Sequence, residues 1–372
     1  METAFPVGSP QAVKKYSTLL CRDVVANSYW QSHFMGYGEA ARTPMQVLDE
    51  LESDQGDTVQ FNLLAQVTGD AVYGDDWLEG NVKKLSYYES EIKINRIRQP
   101  VSGGGAMSRK RTILKTREHA SESAGVWGAQ YFDQAVFMYL AGARGVNTNY
   151  VVPANWSGIP NTQGFLAPSA ASQYYGGTAT SKATVANTDI MTLGVIERLS
   201  SIASSRGGGN EGIPAIQPCQ VGGEDVYVMV MHPNQEYQLR TAATPTGGTG
   251  WLDVQKALIS FQGEKSPLMK GGLGMHNGVC LHKHKNVVKF NDYGAGANLA
   301  AARASLMGVQ AMVCAFGQKG TKGLRWKWTE TPADLDKSQA IITVETICGI
   351  QRTQFNGKDF GMLHIDTFAP NP

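Results

Sequence analysis

The sequence predicts an α+β fold in which strands outnumber helices. Three observations carry that reading. The 372 residues include 42 glycines, which favour turns and extended segments over a helical bundle. Short apolar runs bounded by turn residues recur through the C-terminal half, as strands do. One stretch, Thr116 to Gly142, instead places Ala120, Ala124, Trp127, Tyr131, Ala135 and Met138 at three- and four-residue spacing, the period of a helix.

Residues 1–44 hold three prolines and few periodic apolar positions, so they are expected to form an arm lying on another surface, not necessarily the chain's own. Val59, Phe61 and Leu63 then alternate with polar residues, and Tyr88, Ile92, Ile94 and Ile97 lie among charged ones before Ser102 to Gly105. That pattern predicts long strands with a glycine-rich tip, either an ordinary exposed hairpin or a loop reaching a neighbouring subunit. The long helix follows, buried on a broad face and stopped by Gly142 and Gly145. Residues 147–186 are rich in Gly, Ser, Thr, Ala and Asn without a period, and are expected as a loop that is functional or docked on a partner. A second helix is predicted from Thr188 to Ser204, capped by Asn187 or Thr188, with Ile190, Leu193, Ile196, Leu199 and Ile202 inward and Gly207 to Gly209 ending it.

Beyond it, Val226 to Met231 reads as a strand, and His232-Pro233-Asn234 as a turn into a short helical stretch around Tyr237 to Leu239. Val279 to Lys283, Val287 to Phe290, Val309 to Phe316, Leu324 to Trp328 and Ala340 to Ile350 are expected strands. An alanine-rich helix is expected at Leu299 to Leu306, closed by Gly308. No internal repeat is visible at any period from 20 to 50 residues.

Composition removes several functions. With 33 Lys plus Arg against 32 Asp plus Glu, the net charge is +1, without the excess of a dedicated nucleic-acid binder. Only 17% of residues are charged, against about 25% usually. Much of the surface is therefore expected to face other protein. The longest apolar run, Ala135 to Ala143, falls far short of the ~20 residues of a spanning helix, so no membrane partner is expected. Cys21, Cys219, Cys280, Cys314 and Cys348 contain no C-x-x-C pair, so neither a disulfide framework nor a zinc ribbon is indicated and a reducing cytoplasm fits best.

The charges are unevenly placed. From Thr43 to Gly80 there are nine acidic residues and no basic one, whereas Asn81 to Ala120 holds ten basic residues against Glu89, Glu91 and Glu118. Such a segment can pair with a copy of itself. Asp75, Asp76 and Glu79 on one side, and Arg109, Lys110 and Arg111 on the other, are the candidate subunit-interface residues.

Motifs for chemistry are weak. Cys280, His282 and His284 alternate, so a strand would present sulfur and two imidazoles on one face, but no fourth ligand stands at a zinc spacing and a half-buried strand alternates in the same way. In KGGLGMHNG the third glycine falls one position late for a dinucleotide turn, and GGTATSK lacks the second glycine of a phosphate loop. Asp75 and Asp76 are adjacent and would point to opposite faces of a strand. The reading is no catalytic residue, no metal and no cofactor.

The run GDTVQFNLLAQVTGDAVYGDDWLEGN, Gly56 to Asn81, resembles the signature segment of tailed-bacteriophage major capsid proteins with the Hong Kong 97-type fold. YFDQAVFMYLAG resembles the end of that family's spine helix, and VYVMVMHPNQEYQL, Val226 to Leu239, its strand-then-helix unit. The resemblance spans roughly Val47 to Phe368. It implies an N-terminal arm at 1–44, an extended loop at 56–117, a peripheral domain with the spine helix from 45–55, 118–187 and 321–372, and an axial domain at 188–320. It also implies hexamers and pentamers closing an icosahedral virion head around double-stranded DNA, made in the bacterial host cytoplasm. A portal and a decoration protein are among the implied partners, and a separate scaffolding protein is expected because no assembly domain of about a hundred residues precedes the arm.

Overall fold

Two β-sheets meet on one long helix. The computed structural model describes residues 28–38, 42–52, 56–64, 67–75, 77–112, 116–207, 214–221, 224–241, 272–317, 325–332 and 339–371. In chain order these form α1 (Tyr29–His33), β1 (Met35–Tyr37), β2 (Met45–Leu48), β3 (Thr58–Leu64), β4 (Tyr87–Lys93), β5 (Asn95–Gly105), α2 (Ala106–Arg111) and α3 (Thr116–Ala141). Then come β6 (Gln173–Tyr175), α4 (Leu193–Ser205), β7 (Cys219–Val221), β8 (Glu224–Met231), α5 (Pro233–Thr241), β9 (Gly272–His276), β10 (Val279–Lys283) and β11 (Lys289–Tyr293). The chain closes with β12 (Leu299–Met307), β13 (Met312–Phe316), β14 (Lys327–Pro332), β15 (Gln339–Arg352), β16 (Gln354–Phe355), β17 (Lys358–Asp359) and β18 (Met362–Phe368).

The six-stranded sheet runs β1-β2-β13-β15-β14, with β5 on the opposite edge of β15. The eight-stranded sheet runs β6-β18-β12-β8-β10-β9, with β11 on β12 and β7 on β8. Strand β8 shows how the layers form: Val226, Val228 and Val230 join the core around α3, while Tyr227, Met229 and Met231 join a second core under α4. Two-residue alternation with apolar residues on both faces is what a strand buried between two helical layers requires.

Helix α3 spans 26 residues, roughly 39 Å at 1.5 Å per residue. From Tyr131 to Ala141 every residue is buried, so this half is wrapped on all sides. Gly142 ends it in the left-handed conformation at φ +70°, with Ala143 N–H donating to Met138 O at 3.2 Å. A Cβ there would stand 2.1 Å from Leu166 O, so the stop serves the close approach of residues 158–166 as well as the turn.

Several expectations need correction. The alanine-rich segment at Leu299 is strand β12, not a helix. Ala301, Ala302 and Ala304 are fully buried, and the segment pairs over seven residues with β18 and over three with β8. Pairing on both edges outweighs the helix preference of alanine, which amounts to a few tenths of a kcal/mol per residue. The glycines 103–105 are not a tip. They end β5, which lies against β15, and the free hairpin is β3–β4, registered from Thr58↔Lys93 to Leu64↔Tyr87. Helix α4 begins at Leu193 with Thr192 as its N-cap, because Ile190 and Met191 are still turning out of the preceding loop, and it ends at Ser205. Residues 147–186 dock on their own chain: Tyr150, Val152 and Ile159 are buried and β6 pairs with β18. The arm's last part does the same, since α1 and β1 pack on the body; residues 1–27 lie outside the described residues. The sheets also cross the expected domain limits, with β13 in the six-stranded sheet and β6 and β18 in the eight-stranded one.

Candidate assembly surface

The β3–β4 hairpin is rooted and then left bare. At its base Val59 and Ile92 are buried against Leu51 of the 3-10 turn Glu50–Glu52 and against Val313 and Ala315 of the six-stranded sheet. Beyond that base, Tyr73, Trp77, Leu78, Val82, Leu85 and Tyr87 stand between 58% and 80% exposed. The tip is nevertheless ordered locally: Asn81 N–H donates to Leu78 O at 3.1 Å, the Asn81 amide to Trp77 O at 2.9 Å, and the Tyr73 hydroxyl to Asp70 at 3.0 Å. A run of large apolar groups held in water marks a surface that another protein covers. Sequence alternation located the hairpin but missed this tip, because Trp77 and Leu78 sit without period among Gly, Asp and Glu.

The candidate charges lie on separate elements. Asp75 and Glu79 are exposed on the hairpin tip; Asp76 lies outside the described residues. Arg109, Lys110 and Arg111 fall in α2, with Lys110 and Arg111 exposed. Among the described residues none of Asp75, Glu79, Lys110 and Arg111 joins an ion pair within the chain. Other bases of the same stretch do: Arg96 pairs with Glu345 and Arg117 with Glu330. Separations of 249 and 213 residues leave no local signal of those two pairs.

The polar chemistry that holds the body together gathers on α3. Its last carbonyls, orphaned at a helix end, are taken by two buried arginines from the two sheets. Arg303 of β12 donates to Ala141 O at 2.7 Å, and Arg352 at the end of β15 to Leu140 O at 3.2 Å. Cations at the negative end of the helix dipole are favoured. Each arginine is paired in turn: Arg303 with Asp366 through Nε at 2.7 Å and Nη2 at 2.8 Å, Arg352 with Asp359 at 2.9 Å. Burial alone would lower the Arg303 pKa; the facing Asp366 more than reverses that, and the group stays charged. One turn from the middle of α3, the buried Asp133 accepts from Ser28 Oγ at 2.7 Å, Tyr29 N–H at 2.8 Å and Trp30 N–H at 3.3 Å.

Comparison with known proteins decides what this arrangement is. A family model described as phage capsid protein matches residues 4–371. The chain belongs to the phage capsid protein family. A curated relative, the major capsid protein of Pseudomonas phage KPP25, is 26% identical over 363 residues, covering 89% of each chain. The solved capsid of Ralstonia phage GP4 is 41% identical, with a TM-score of 0.82 and coverage of 100% of this chain and 99% of that one. The capsid of cyanophage Pam1 shares the fold at 20% identity, with a TM-score of 0.69 and 94% coverage of both. The chain is thus a major capsid protein of a phage head, a structural protein rather than an enzyme, with the Hong Kong 97-type α+β fold.

In this capsid protein the Cys280–His282–His284 motif is part of the core. Cys280 and His282 lie in β10 with Sγ and Nε2 3.5 Å apart, and the His284 ring stacks on both Tyr29 and Phe137, at 4.7 Å from each, with those two rings 6.0 Å apart. Among the described residues no group of three or more His, Cys, Asp or Glu side chains is placed to hold a metal. Burial lowers the His284 pKa to about 4, with Lys285 adding to the shift. No helix of the described residues is long and apolar enough to cross a membrane.

Proposed function

We propose that this chain assembles as hexamers and pentamers into an icosahedral head enclosing double-stranded DNA, which it binds weakly and without sequence preference. The observation that carries the reading is the hairpin tip, six large apolar side chains with no cover from the described residues of their own chain. Its occupant is a neighbouring copy. The low charged fraction supports the same conclusion, since a subunit enclosed by copies needs little solvating charge. The six-stranded sheet with α3 serves as the peripheral part, the eight-stranded sheet as the axial part meeting its copies around capsomer axes, and residues 58–93 as the extended loop.

The partners follow from that role: copies of itself, a separate scaffolding protein and a portal during assembly in the host cytoplasm, and a decoration protein on the finished shell. The acidic tip residues Asp75, Asp76 and Glu79 pair with Arg109, Lys110 and Arg111 of a neighbour. Electron microscopy of the chain co-expressed with its scaffolding protein tests the reading. Closed shells with five-fold and six-fold capsomers are expected; stable monomers at every salt concentration, with no shell, would overturn it.

A further inference from the structure

The seat of α1 answers what the buried Cys280–His284 segment and Asp133 are for. Helix α1 is only five residues long, too short to persist alone. Its Trp30 and the C-capping Phe34 are nevertheless both at 0% exposure. Asp133 forms one side of its seat, taking the Ser28 hydroxyl and the first two helical N–H groups. The other side is aromatic. The Tyr29 ring lies on His284, Phe34 meets the edge of His282 at 5.2 Å, and Trp30 packs on Phe137 at 5.0 Å. The side chains that looked like a metal-binding strand face are the floor of a socket.

This plug carries costs as well as contacts. Asp133 is a carboxylate removed from water inside a helix, and the Trp30 indole N–H is buried without an acceptor. Both penalise the docked state. The strand that follows, β1, adds only three residues at the edge of its sheet. The attachment is therefore separable from the two sheets in a way that β12 or β15 is not.

We propose that Asp133 is a latch that ties the base of the N-terminal arm, Ser28 to Phe34, to the spine helix of the same subunit, so that this base moves with that helix. Asp133 is a positioning residue, acting through α1. The latch is a property of one chain and stands whatever the geometry of the shell.

Hydrogen exchange on the full chain, as free capsomers and as assembled shells, tests this. In the wild type, amides 29–34 are expected to be protected already in free capsomers. Asp133→Ala should speed their exchange at least tenfold while β12 and β18 stay unchanged, and Asp133→Asn, which keeps one acceptor oxygen, should fall between. Ser28→Ala removes one donor to Asp133 and the N-cap acceptor of Gln31 N–H without touching α3; it should speed the same amides several-fold even if Asp133→Ala does not fold, and by less in an Asp133→Asn background, where the bond to Asp133 is already weakened. Unchanged exchange in the Ser28 and Asp133 variants, equal acceleration in β12, or protection that arises only on assembly would overturn the latch.

Discussion

The hairpin tip and the C-terminal end of α3 solve opposite problems. At the tip, apolar groups face water and the described residues supply nothing to cover them; Trp77 is 80% exposed. At the helix end, charges lie out of water, Arg352 at 1% and Asp366 at 0%, and the chain supplies every partner. A capsid subunit has to arrive folded and still unfinished. The helix end makes it a rigid body before assembly, and in the proposed role the tip gains its free energy only when a copy arrives. Mutations at the two places should therefore separate folding from assembly.

The largest effect is expected at the helix end. Arg303→Met leaves Asp366 buried without its cation and Ala141 O without a donor. Removing one member of a buried pair costs about 3–5 kcal/mol. Denaturant unfolding of the free chain should show that loss, with shell yield falling as a consequence. By contrast, Trp77→Ala with Leu78→Ala should leave unfolding within about 0.5 kcal/mol of wild type, while shell assembly, followed by light scattering, is lost. Equal unfolding curves for the Arg303 variant would break the contrast.

What the sequence revealed follows the range of the interactions. Strand β10 matches its expected limits, and α3 lies within one residue of its own, because each is a local pattern closed by local turn residues. The Leu299 strand was illegible because its pairing partners on β18 and β8 lie 55–79 residues away, and alanine reports neither. Asp133 was missed for the same reason: its three donors are 103–105 residues distant, and one Asp in an apolar helix carries no spacing signal. Cys280, His282 and His284 were seen as a set, but their neighbours Tyr29, Phe34 and Phe137 come from two other elements. The charge asymmetry of residues 43–120 was visible, whereas the use of Arg96 and Arg117 within the chain was not.

The α1 socket lies between the two extremes, and pH should reveal it. Burial pushes the Asp133 carboxyl up to about 6, against the hydrogen bonds from Ser28, Tyr29 and Trp30. Between about pH 4 and 6 the docked state keeps a proton on Asp133 that an undocked state loses, so this group alone makes docking weaker as pH rises. His284, lowered to about 4 by burial, does the reverse: the undocked state gains a proton as pH falls from 6.5, so docking weakens on acidification. The other titratable neighbours are Lys285, whose charge adds to the lowering of His284, Tyr29, itself raised by burial and then by Cys280 and Asp133, together with Cys280, raised by burial, and His282. The two shifts nearly cancel, and docking in the wild type should vary little across the window. Asp133→Asn should make protection of amides 29–34 fall below pH 6, and His284→Phe should make it fall as pH rises from 4 to 6, each by on the order of 2 kcal/mol. A wild-type profile as steep as either variant would refute the compensation.

The smallest effect per contact is expected between subunits, and it bears most directly on how the tip finds its neighbour. Exposed ion pairs contribute about 0.2–1 kcal/mol each, so reversing Arg109, Lys110 and Arg111 together to Glu should leave the free chain as stable as before. A shell repeats the contact at every subunit, and like charges would then oppose Asp75, Asp76 and Glu79 throughout. Assembly of the triple variant should slow and shell yield should drop, more so at low salt, where charges act over about 30 Å at 0.01 M rather than about 10 Å at 0.1 M. Adding Asp75→Lys, Asp76→Lys and Glu79→Lys restores opposite signs and should recover assembly, since the apolar groups of the tip remain in place. Normal yield from the triple variant would show that Trp77 and its neighbours dock without electrostatic guidance. Failure of the six-fold variant to recover, with the chain still folded, would show that α2 faces some other partner than the acidic tip.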